Sequence, residues 1–400
     1  MKIIEQGNLA LVKGIRASGI HCGIKTSKKR DLALVFSESP ARAAGVFTSN
    51  RIIAAPLVVT REHLSAGQAQ AIVANSGIAN AATGQRGIDD ARRMARLTAS
   101  SLNIPENSVI VASTGMIGRF LPMERIDSGI REAACALSTD GGADAAEAIM
   151  TTDTFPKHLA VRIDLDGCAV TLAGMAKGAG MIQPNMATML AFLATDAAVE
   201  GDFLRDALRD AVARTFNCIT VDGDTSTNDM VVILANGLSG NTPINARSSQ
   251  AQPFLDALEL VCSRLSLMIV EDGEGATKLV SIEVRGANTR SDANAIAFRI
   301  ANSPLVKTSL YGRRCNWGRI MAAAGSSGVA VDQDRIDIFY GNVQVVRNGL
   351  GLGREKEAES LLGSRQVRLT IDLHLGDAAE TVLTTDLSPE YIHINADYAT

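Results

Sequence analysis

Residues 177–190 read KGAGMIQPNMATML and join a glycine-rich loop and a Pro-Asn turn to an apolar, strand-like run, Met189–Leu193. Glycine removes side-chain bulk, so the backbone of such a loop can be strained or can lie close to another group. Thr188 is the first hydroxyl-bearing residue as the chain enters the predicted strand. Composition alone favours the interpretation that the segment is a loop and a β-branched strand start that carry no chemistry.

On either side of this segment, short apolar runs predict strands and amphipathic runs predict helices. Strands are predicted at Leu32–Phe36, Leu57–Thr60, Ala71–Ala74, Val109–Ser113, Leu159–Leu165, Ala169–Ala173, Lys278–Val284 and Val367–Leu375. Helices are predicted at Asp89–Leu102, Phe203–Phe216 and Pro253–Met268. Strands in pairs and helices in blocks indicate α+β layers rather than regular βαβ winding.

Two turn signals predict strand pairs. Asp166-Gly167 separates two apolar runs, and this arrangement is typical of a β-hairpin. A Gly-Asp turn at residues 376–377 similarly predicts that Val367–Leu375 pairs with Thr381–Leu387.

Composition and charge indicate a globular protein with a large core. The 400 residues are 46% hydrophobic and 20% charged, the formal net charge is −4, and aromatic residues make up 4%. A basic stripe or a stacking surface for nucleic acid is therefore not expected. The first residues lack the apolar core of a signal peptide, and we find no 18-residue apolar run. The expectation is a cytoplasmic protein with neither nucleic-acid nor membrane partners.

Cysteine and histidine patterns argue against a metal site, a disulfide framework or a histidine-dependent triad. The six cysteines form no CxxC pair, and the five histidines show neither HxH nor HxxxH spacing. Residues Asp222–Asp229 begin like a calcium loop, but Thr227 and Ile233 occupy the positions that need glycine and an acid. No metal and no cofactor are predicted. A nucleophile that needs no histidine, such as a chain-terminal threonine, becomes the candidate.

The 177–190 segment resembles the self-cleavage site of the ornithine acetyltransferase family, also called glutamate N-acetyltransferase. The resemblance extends over nearly the whole chain, through an ordered series of further motifs. They include AGVFTSN (44–50), STGMIG (113–118), TTDT (151–154), the Asp222–Asp229 run, DGEGATK (272–278), NWGRI (316–320) and INADYAT (394–400). One departure is Ile78, where the family pattern has asparagine, and another is the basic stretch Arg313-Arg314-Cys315.

The resemblance implies a layered αββα sandwich, an α+β or α/β fold of the self-processing N-terminal-nucleophile type. Cleavage between Ala187 and Thr188 is expected to divide the chain into residues 1–187 and 188–400. The two fragments would stay together as a heterodimer, with a heterotetramer as the expected assembly.

The resemblance also assigns roles to residues. Thr188 would be the nucleophile, with its new α-amino group as the base. Thr114 and Gly115 would form the oxyanion hole. The residues expected to bind substrate are Thr154, Lys177, Thr188, Glu274, Asn395 and Thr400. Without the resemblance, the favoured interpretations are a strand that ends in a turn for Thr114 and Gly115, a solvated loop cation for Lys177, a surface acid for Glu274 and a turn residue for Asn395.

The implied reaction transfers an acetyl group from N-acetylornithine to glutamate through acetyl-Thr188, in arginine biosynthesis. Some family members also acetylate glutamate from acetyl-CoA, and we predict that bifunctional form; the monofunctional form is the alternative. A self-processing aminopeptidase or amidohydrolase on the same scaffold is a further alternative, and it would pass the acyl group to water. A non-catalytic binding protein is a third. Acetate release without an acceptor would distinguish the hydrolase.

Overall fold

The computed structural model describes residues 1–183 and 189–397. Its strands are β1 (Lys2–Ile4), β2 (Ile15–Ile20), β3 (Leu32–Phe47), β4 (Gln68–Ile78), β5 (Val109–Met116), β6 (Lys157–Leu165), β7 (Cys168–Lys177), β8 (Leu190–Thr195), β9 (Met230–Ala235), β10 (Leu279–Ala287), β11 (Asp337–Tyr340), β12 (Val343–Arg347), β13 (Leu350–Gly351), β14 (Gln366–Asp372) and β15 (Ala378–Thr385). Its helices are α1 (Ala55–His63), α2 (Gly84–Leu102), α3 (Met123–Cys135), α4 (Gly142–Ala148), α5 (Gly201–Arg214), α6 (Ala251–Glu271), α7 (Arg290–Ala301), α8 (Pro304–Tyr311), α9 (Trp317–Gly325), α10 (Glu355–Leu361) and α11 (Pro389–Asp397).

A mixed sheet of nine strands forms the larger part of the fold. Its order is β1-β6-β7-β8-β9-β3-β4-β5, with β2 paired to β3. The long strand β3 joins the two halves, because its first part pairs with β2 and β4 while its last part, from Arg42, pairs with β9. The β8–β9 and β4–β5 pairs are parallel, and the β6–β7–β8 pairs are antiparallel.

Alternation along these strands divides the apolar side chains between the two faces of the sheet. On β7, Val170 and Leu172 face a core shared with α5 and α6, whereas Ala173 and Met175 face a second core shared with α4. Helices α2 and α3 cover a third core on β3, β4 and β5. Helices and sheet are thus stacked in layers.

The six-stranded sheet has a core of its own. Its order is β13-β12-β11-β14-β10-β15, and α7, α8, α9 and α10 contribute apolar side chains to that core. Ile282 and Leu369 lie at its centre with no exposed surface. These mixed sheets with packed helices confirm the predicted α+β layers, and β6 and β7 confirm the hairpin at Asp166-Gly167.

Two local predictions are wrong. Leu57–Thr60 belongs to helix α1 and not to a strand, because Pro56 occupies the first helical turn and burial of Leu57 and Val59 on the helix overrides the β propensity of the valines and the threonine. The strands β14 and β15 do not pair with each other, since β10 lies between them. The connection passes around the end of β10, where Leu375 N and Gly376 N donate to Gly286 O.

None of the helices that the structure describes combines the length and the apolar character that a bilayer-spanning helix needs. The six cysteines, all within the described residues, carry thiols that are not joined in disulfides.

Candidate active site

A cleft of about 610 Å³ lies where β5 and β7 end, beside the segment that leads into β9. Hydroxyl, amide and charged groups from distant parts of the chain converge on it. Its lining residues are Ala79, Thr114, Gly115, Ile117, Thr151, Thr152, Lys177, Gly180, Met181, Ser226, Thr227, Asn228, Glu274 and Asn395. Five residues predicted from the sequence, Thr114, Gly115, Lys177, Glu274 and Asn395, are thereby brought together.

Lys177, the last residue of β7, is buried rather than solvated. Its ammonium group donates to Thr151 Oγ1 at 2.7 Å and to Thr114 Oγ1 at 3.3 Å. Burial lowers the pKa of Lys177, and the nearby carboxylates of Asp153 and Glu274 oppose that shift. An anionic ligand in the cleft would oppose it further, because an opposite charge favours the ammonium form.

Thr114 and Gly115 lie near the end of β5, where the backbone adopts an unusual conformation. Gly115 has φ +125°, and a Cβ placed there would lie 2.3 Å from the carbonyl carbon of Gly77. Only glycine fits this close approach of two strands. Because Lys177 donates to the Thr114 hydroxyl, that hydroxyl's own proton is available for a ligand.

A buried ion-pair network supports the floor of the cleft. The ammonium group of Lys157 donates to Asp153 Oδ1 at 2.7 Å and to Asp272 Oδ2 at 2.5 Å, and these side chains are essentially inaccessible to solvent. Asp153 Oδ1 also accepts from Gly178 N at 2.7 Å. Burial alone would raise the pKa of Asp153, but Lys177 and Lys157 hold it below its usual range. The network therefore fixes the backbone directly after Lys177.

Glu274 and Asn395 form the opposite wall. Asn395 Nδ2, on α11, donates to Glu274 Oε2 at 2.8 Å, and Glu274 N donates to Ala179 O at 2.9 Å. A Cβ at Gly180 would lie 2.3 Å from Glu274 Oε2, so the loop glycine allows the carboxylate to lie directly against the backbone. This contact explains one of the glycines in the 177–190 stretch.

Two aspartates of the Asp222–Asp229 run hold the flanks of residues 184–188. Asp222 accepts from Met181 N at 2.6 Å and from Ile182 N at 2.9 Å. Asp229 Oδ1 accepts from Met189 N at 2.9 Å. Met181 has φ +57°, which is uncommon for a residue with a side chain. The run that resembles a calcium loop therefore serves to fix the backbone on both sides of this segment.

The other residues predicted to take part in the site do not line the cleft or lie outside the described residues. Ala187, Thr188 and Thr400 lie outside the described residues, so their assigned roles stay predictions. Thr154 does not line the cleft; its hydroxyl and its N–H both donate to Asp272. Its neighbours Thr151 and Thr152 line the cleft instead.

Sequence reasoning assigned no role to Asp153, Lys157, Asn228 or Asp229. Asn228 is buried, and its Nδ2 donates to Ala79 O and Ser113 O, which ties the cleft wall to the end of β5. The TTDT motif and the Asp222–Asp229 run contained three of these residues. Asp153 accepts from Gly178, 25 residues away, Asp229 accepts from Met189, 40 residues away, and Asn228 donates to Ala79, 149 residues away, so spacing gave no indication of their roles.

Within residues 1–183 and 189–397, His, Cys, Asp and Glu side chains do not gather in groups of three or more that could hold a metal ion. The cleft offers instead a buried cation, hydroxyls, a carboxylate and a side-chain amide. Such a set suits a small polar ligand that carries a carboxylate and an amine.

Comparisons of the chain with protein families, with known relatives and with solved structures all indicate the same family. A family model described as the ArgJ family matches residues 16–400. A relative named arginine biosynthesis bifunctional protein ArgJ, from Symbiobacterium thermophilum, is 50% identical over 397 residues, which cover 98% of this chain and 99% of the relative. The protein of the same name from Caldanaerobacter subterraneus is 47% identical and covers both chains completely. Among solved structures, ornithine acetyltransferase from Mycobacterium tuberculosis, in complex with ornithine, is 40% identical and covers 46% of this chain and 97% of that one, with a TM-score of 0.44.

Proposed function

The chain belongs to the ArgJ family and is an acetyltransferase of arginine biosynthesis, and from that membership we propose that it carries the acetyl group of N-acetylornithine to glutamate through an ester on Thr188. The observation that supports this reaction is the convergence of Thr114, Gly115, Lys177, Glu274 and Asn395 on one cleft. The backbone on both sides of residues 184–188 is fixed by hydrogen bonds from Met181 N to Asp222 and from Met189 N to Asp229, and Met181 lines the cleft.

In the proposed maturation, the Thr188 hydroxyl attacks the Ala187 carbonyl and the peptide bond is replaced by an ester. Water hydrolyses that ester, leaving a carboxylate on Ala187 and a free α-amino group on Thr188. Such an amine has a pKa of about 8 and is partly neutral at cellular pH. It can therefore take the hydroxyl proton in the next reaction, which explains how the site works without histidine.

Acetyl transfer then takes place in two halves. The Thr188 oxygen bonds to the acetyl carbon of N-acetylornithine while its proton moves to the α-amino group. The C–N bond breaks, the leaving ornithine nitrogen takes that proton, and acetyl-Thr188 remains. Glutamate's amine attacks next and gives a proton to the same α-amino group. The C–O bond breaks, and the threonine oxygen recovers the proton as N-acetylglutamate leaves.

The residues of the cleft have separate tasks in this proposal. The free proton of the Thr114 hydroxyl and the Gly115 N–H stabilise the oxyanion of both tetrahedral intermediates. Lys177 binds the α-carboxylate that donor and acceptor share, and Glu274 with Asn395 binds an amine of the substrate. Thr154 would act on the substrate only indirectly, through Asp272, because its hydroxyl is engaged there. Thr400 remains a candidate contributor to the pocket.

Intact-mass analysis of the purified protein tests the proposal. We expect fragments 1–187 and 188–400, and acetyl transfer from N-acetylornithine that depends on glutamate. Thr188→Ala should leave one uncut, inactive chain. Thr308→Ala, at an exposed threonine of α8 that donates to Pro304 O, is the matched control and should cleave and turn over normally. An uncut wild-type chain with full activity would exclude Thr188 as the terminal nucleophile.

The word "bifunctional" in the relatives' names supports a second reaction, acetylation of glutamate by acetyl-CoA. Comparing turnover of acetyl-CoA with turnover of N-acetylornithine, at equal glutamate, tests it. Release of acetate without glutamate would indicate a hydrolase instead. The proposal needs no cofactor, and it places the reaction in the cytoplasm, with the two fragments held as a heterodimer that pairs into a heterotetramer.

A further inference from the structure

A groove of about 890 Å³ lies where β3 and β4 separate, bounded by the end of α1 and the start of α5. The last pair of residues that joins the two strands is Arg42 with Gln68, whereas β9 stays paired with β3 as far as Phe47. The rest of β3 therefore has a partner strand on one side only. The groove shares no lining residue with the cleft described above.

The open edge of β3 presents backbone hydrogen-bonding groups to this groove. Thr48 N donates to Asp229 O, on the side of β9. Because backbone groups alternate between the two sides of a strand, the N–H and C=O groups of Gly45 and Phe47 face the open side. Both residues line the groove. Such an edge can pair with an extended ligand that carries amide groups.

Three arginines and one aspartate supply the charged side chains of the groove, and they are Arg42, Arg61, Arg205 and Asp202. Arg205 pairs with Asp202 at 3.1 Å. Arg61 donates to Thr48 O at 3.2 Å. The groove thus has two more cations than anions, although the net charge of the whole chain is −4. A concave surface of this kind attracts anions.

Arg42 has the least compensated charge of the three arginines. Its guanidinium group forms neither an ion pair nor a hydrogen bond among the residues that the structure describes. Its side chain lies against the start of α5, where a Cβ on Gly201 would be 4.0 Å from Arg42 Cδ. The side chain of Glu200, directly before the helix, does not cap the first turn. Since the first turn of a helix carries a partial positive charge, a cation is unfavourable there unless an anion joins it.

We propose that this groove binds an organic phosphate, whose oxygens accept hydrogen bonds from the guanidinium groups of Arg42 and Arg205. Guanidinium groups bind phosphate through two parallel hydrogen bonds, and the bound anion would offset the repulsion at the start of α5. CoA is the expected source of the phosphates, because the two amides of its pantetheine arm match the open edge at Gly45 and Phe47. This choice of ligand rests on the proposed acetylation of glutamate by acetyl-CoA.

The open edge of β3 leads from the arginines towards the cleft. The strand advances about 3.4 Å per residue, so Arg42 and Phe47 lie about 17 Å apart along it. The residue after Phe47 is Thr48, whose hydroxyl donates to Ser226 O at 2.8 Å, and Ser226 lines the cleft. A ligand with its phosphates beside Arg42 and its arm along the edge would therefore direct its other end towards the cleft.

Isothermal titration calorimetry of the purified full chain tests the proposal. The ligands are CoA, the adenine nucleotide of CoA without its pantetheine arm, and ADP. Arg42→Gln should weaken CoA binding about tenfold, because a charge-assisted contact is lost, and Arg42→Lys should recover part of that loss. Added salt should weaken binding to the wild-type chain, since the arginines are exposed. The kcat/KM for N-acetylornithine should stay unchanged in both variants.

Arg205→Gln and Arg209→Gln form a matched pair of variants on α5. Both arginines have side chains that are 63% exposed, and each pairs with the aspartate three residues before it. Arg205 lines the groove and Arg209 does not. Arg205→Gln should therefore weaken CoA binding, whereas Arg209→Gln should leave it at the wild-type value.

The outcomes separate the groove, its ligand and the proposed function. Equal CoA affinity in the wild-type chain and Arg42→Gln, the same loss in Arg209→Gln, or a wild-type chain that binds none of the three ligands would overturn the proposal. Tighter binding of CoA than of its nucleotide supports the pantetheine arm on the open edge, and equal affinities overturn CoA as the ligand. If the proposed function fails, acetyl transfer is absent, yet nucleotide binding that depends on Arg42 remains measurable.

Discussion

The ion pairs associated with the two sheets differ in how far their side chains are exposed to solvent. Beside the cleft of the nine-stranded sheet, Lys157, Asp153 and Asp272 form ion pairs whose side chains are at most 2% exposed. On the six-stranded sheet, Arg368 and Glu283 form an ion pair at 2.7 Å with side chains 63% and 23% exposed. Removing charges from water is costly unless fixed partners compensate. The difference indicates that the first region accepts a cost in stability to hold the backbone around Lys177, while the second depends on its apolar core.

Lys157→Met should have the largest effect, because it leaves two carboxylates buried without their cation. Breaking a buried ion pair costs about 3–5 kcal/mol of unfolding free energy. Urea denaturation followed by circular dichroism should show the nine-stranded region unfolding early. Fluorescence of Trp317, the single tryptophan, reports on the six-stranded region and should change at higher urea. Coincident transitions at the wild-type midpoint would contradict the comparison.

Gly115→Ala should be the next largest change, and it acts on catalysis. The new Cβ would lie 2.3 Å from the Gly77 carbonyl carbon, so the Gly115 N–H would have to move away from the oxyanion position that we propose for it. Loss of one such donor costs about 3 kcal/mol in the barrier, or a 10²- to 10³-fold fall in kcat.

Gly118→Ala is the matched control for that variant. Gly118 also has a positive φ, +79°, but a Cβ there meets nothing within 4 Å. It places an alanine at a positive φ without the collision. Equal losses of kcat in the two variants would show that strain, and not displacement of the N–H, is responsible.

The sequence predicted the residues that line the cleft better than it predicted the buried ion pairs that hold the surrounding backbone. Thr114, Lys177 and Glu274 were identified because they occur in recognisable motifs, and they do converge. Lys157 was missed because it pairs both with Asp153, four residues before it and outside any helix, and with Asp272, 115 residues away, and one-dimensional spacing does not reveal such a network. For the same reason β10 was not expected between β14 and β15: strand order depends on tertiary packing, whereas a turn signal reports only on neighbouring residues.

Arg368→Ala should have the smallest effect, at most about 1 kcal/mol, because a solvated ion pair gains little from its Coulomb attraction. Arg368 holds the pKa of Glu283 below its usual value, so the contribution is present above about pH 4 and is lost as the pH falls further. It should also vanish in about 1 M salt, where exposed charges are screened. The Lys157→Met effect should persist there, since buried charges are screened far less. Urea denaturation of both variants in low and high salt therefore distinguishes the buried ion pairs beside the cleft from the exposed pair on the six-stranded sheet. If salt abolished the stability effects of both variants, the Lys157 network would be accessible to water and would not fix the cleft.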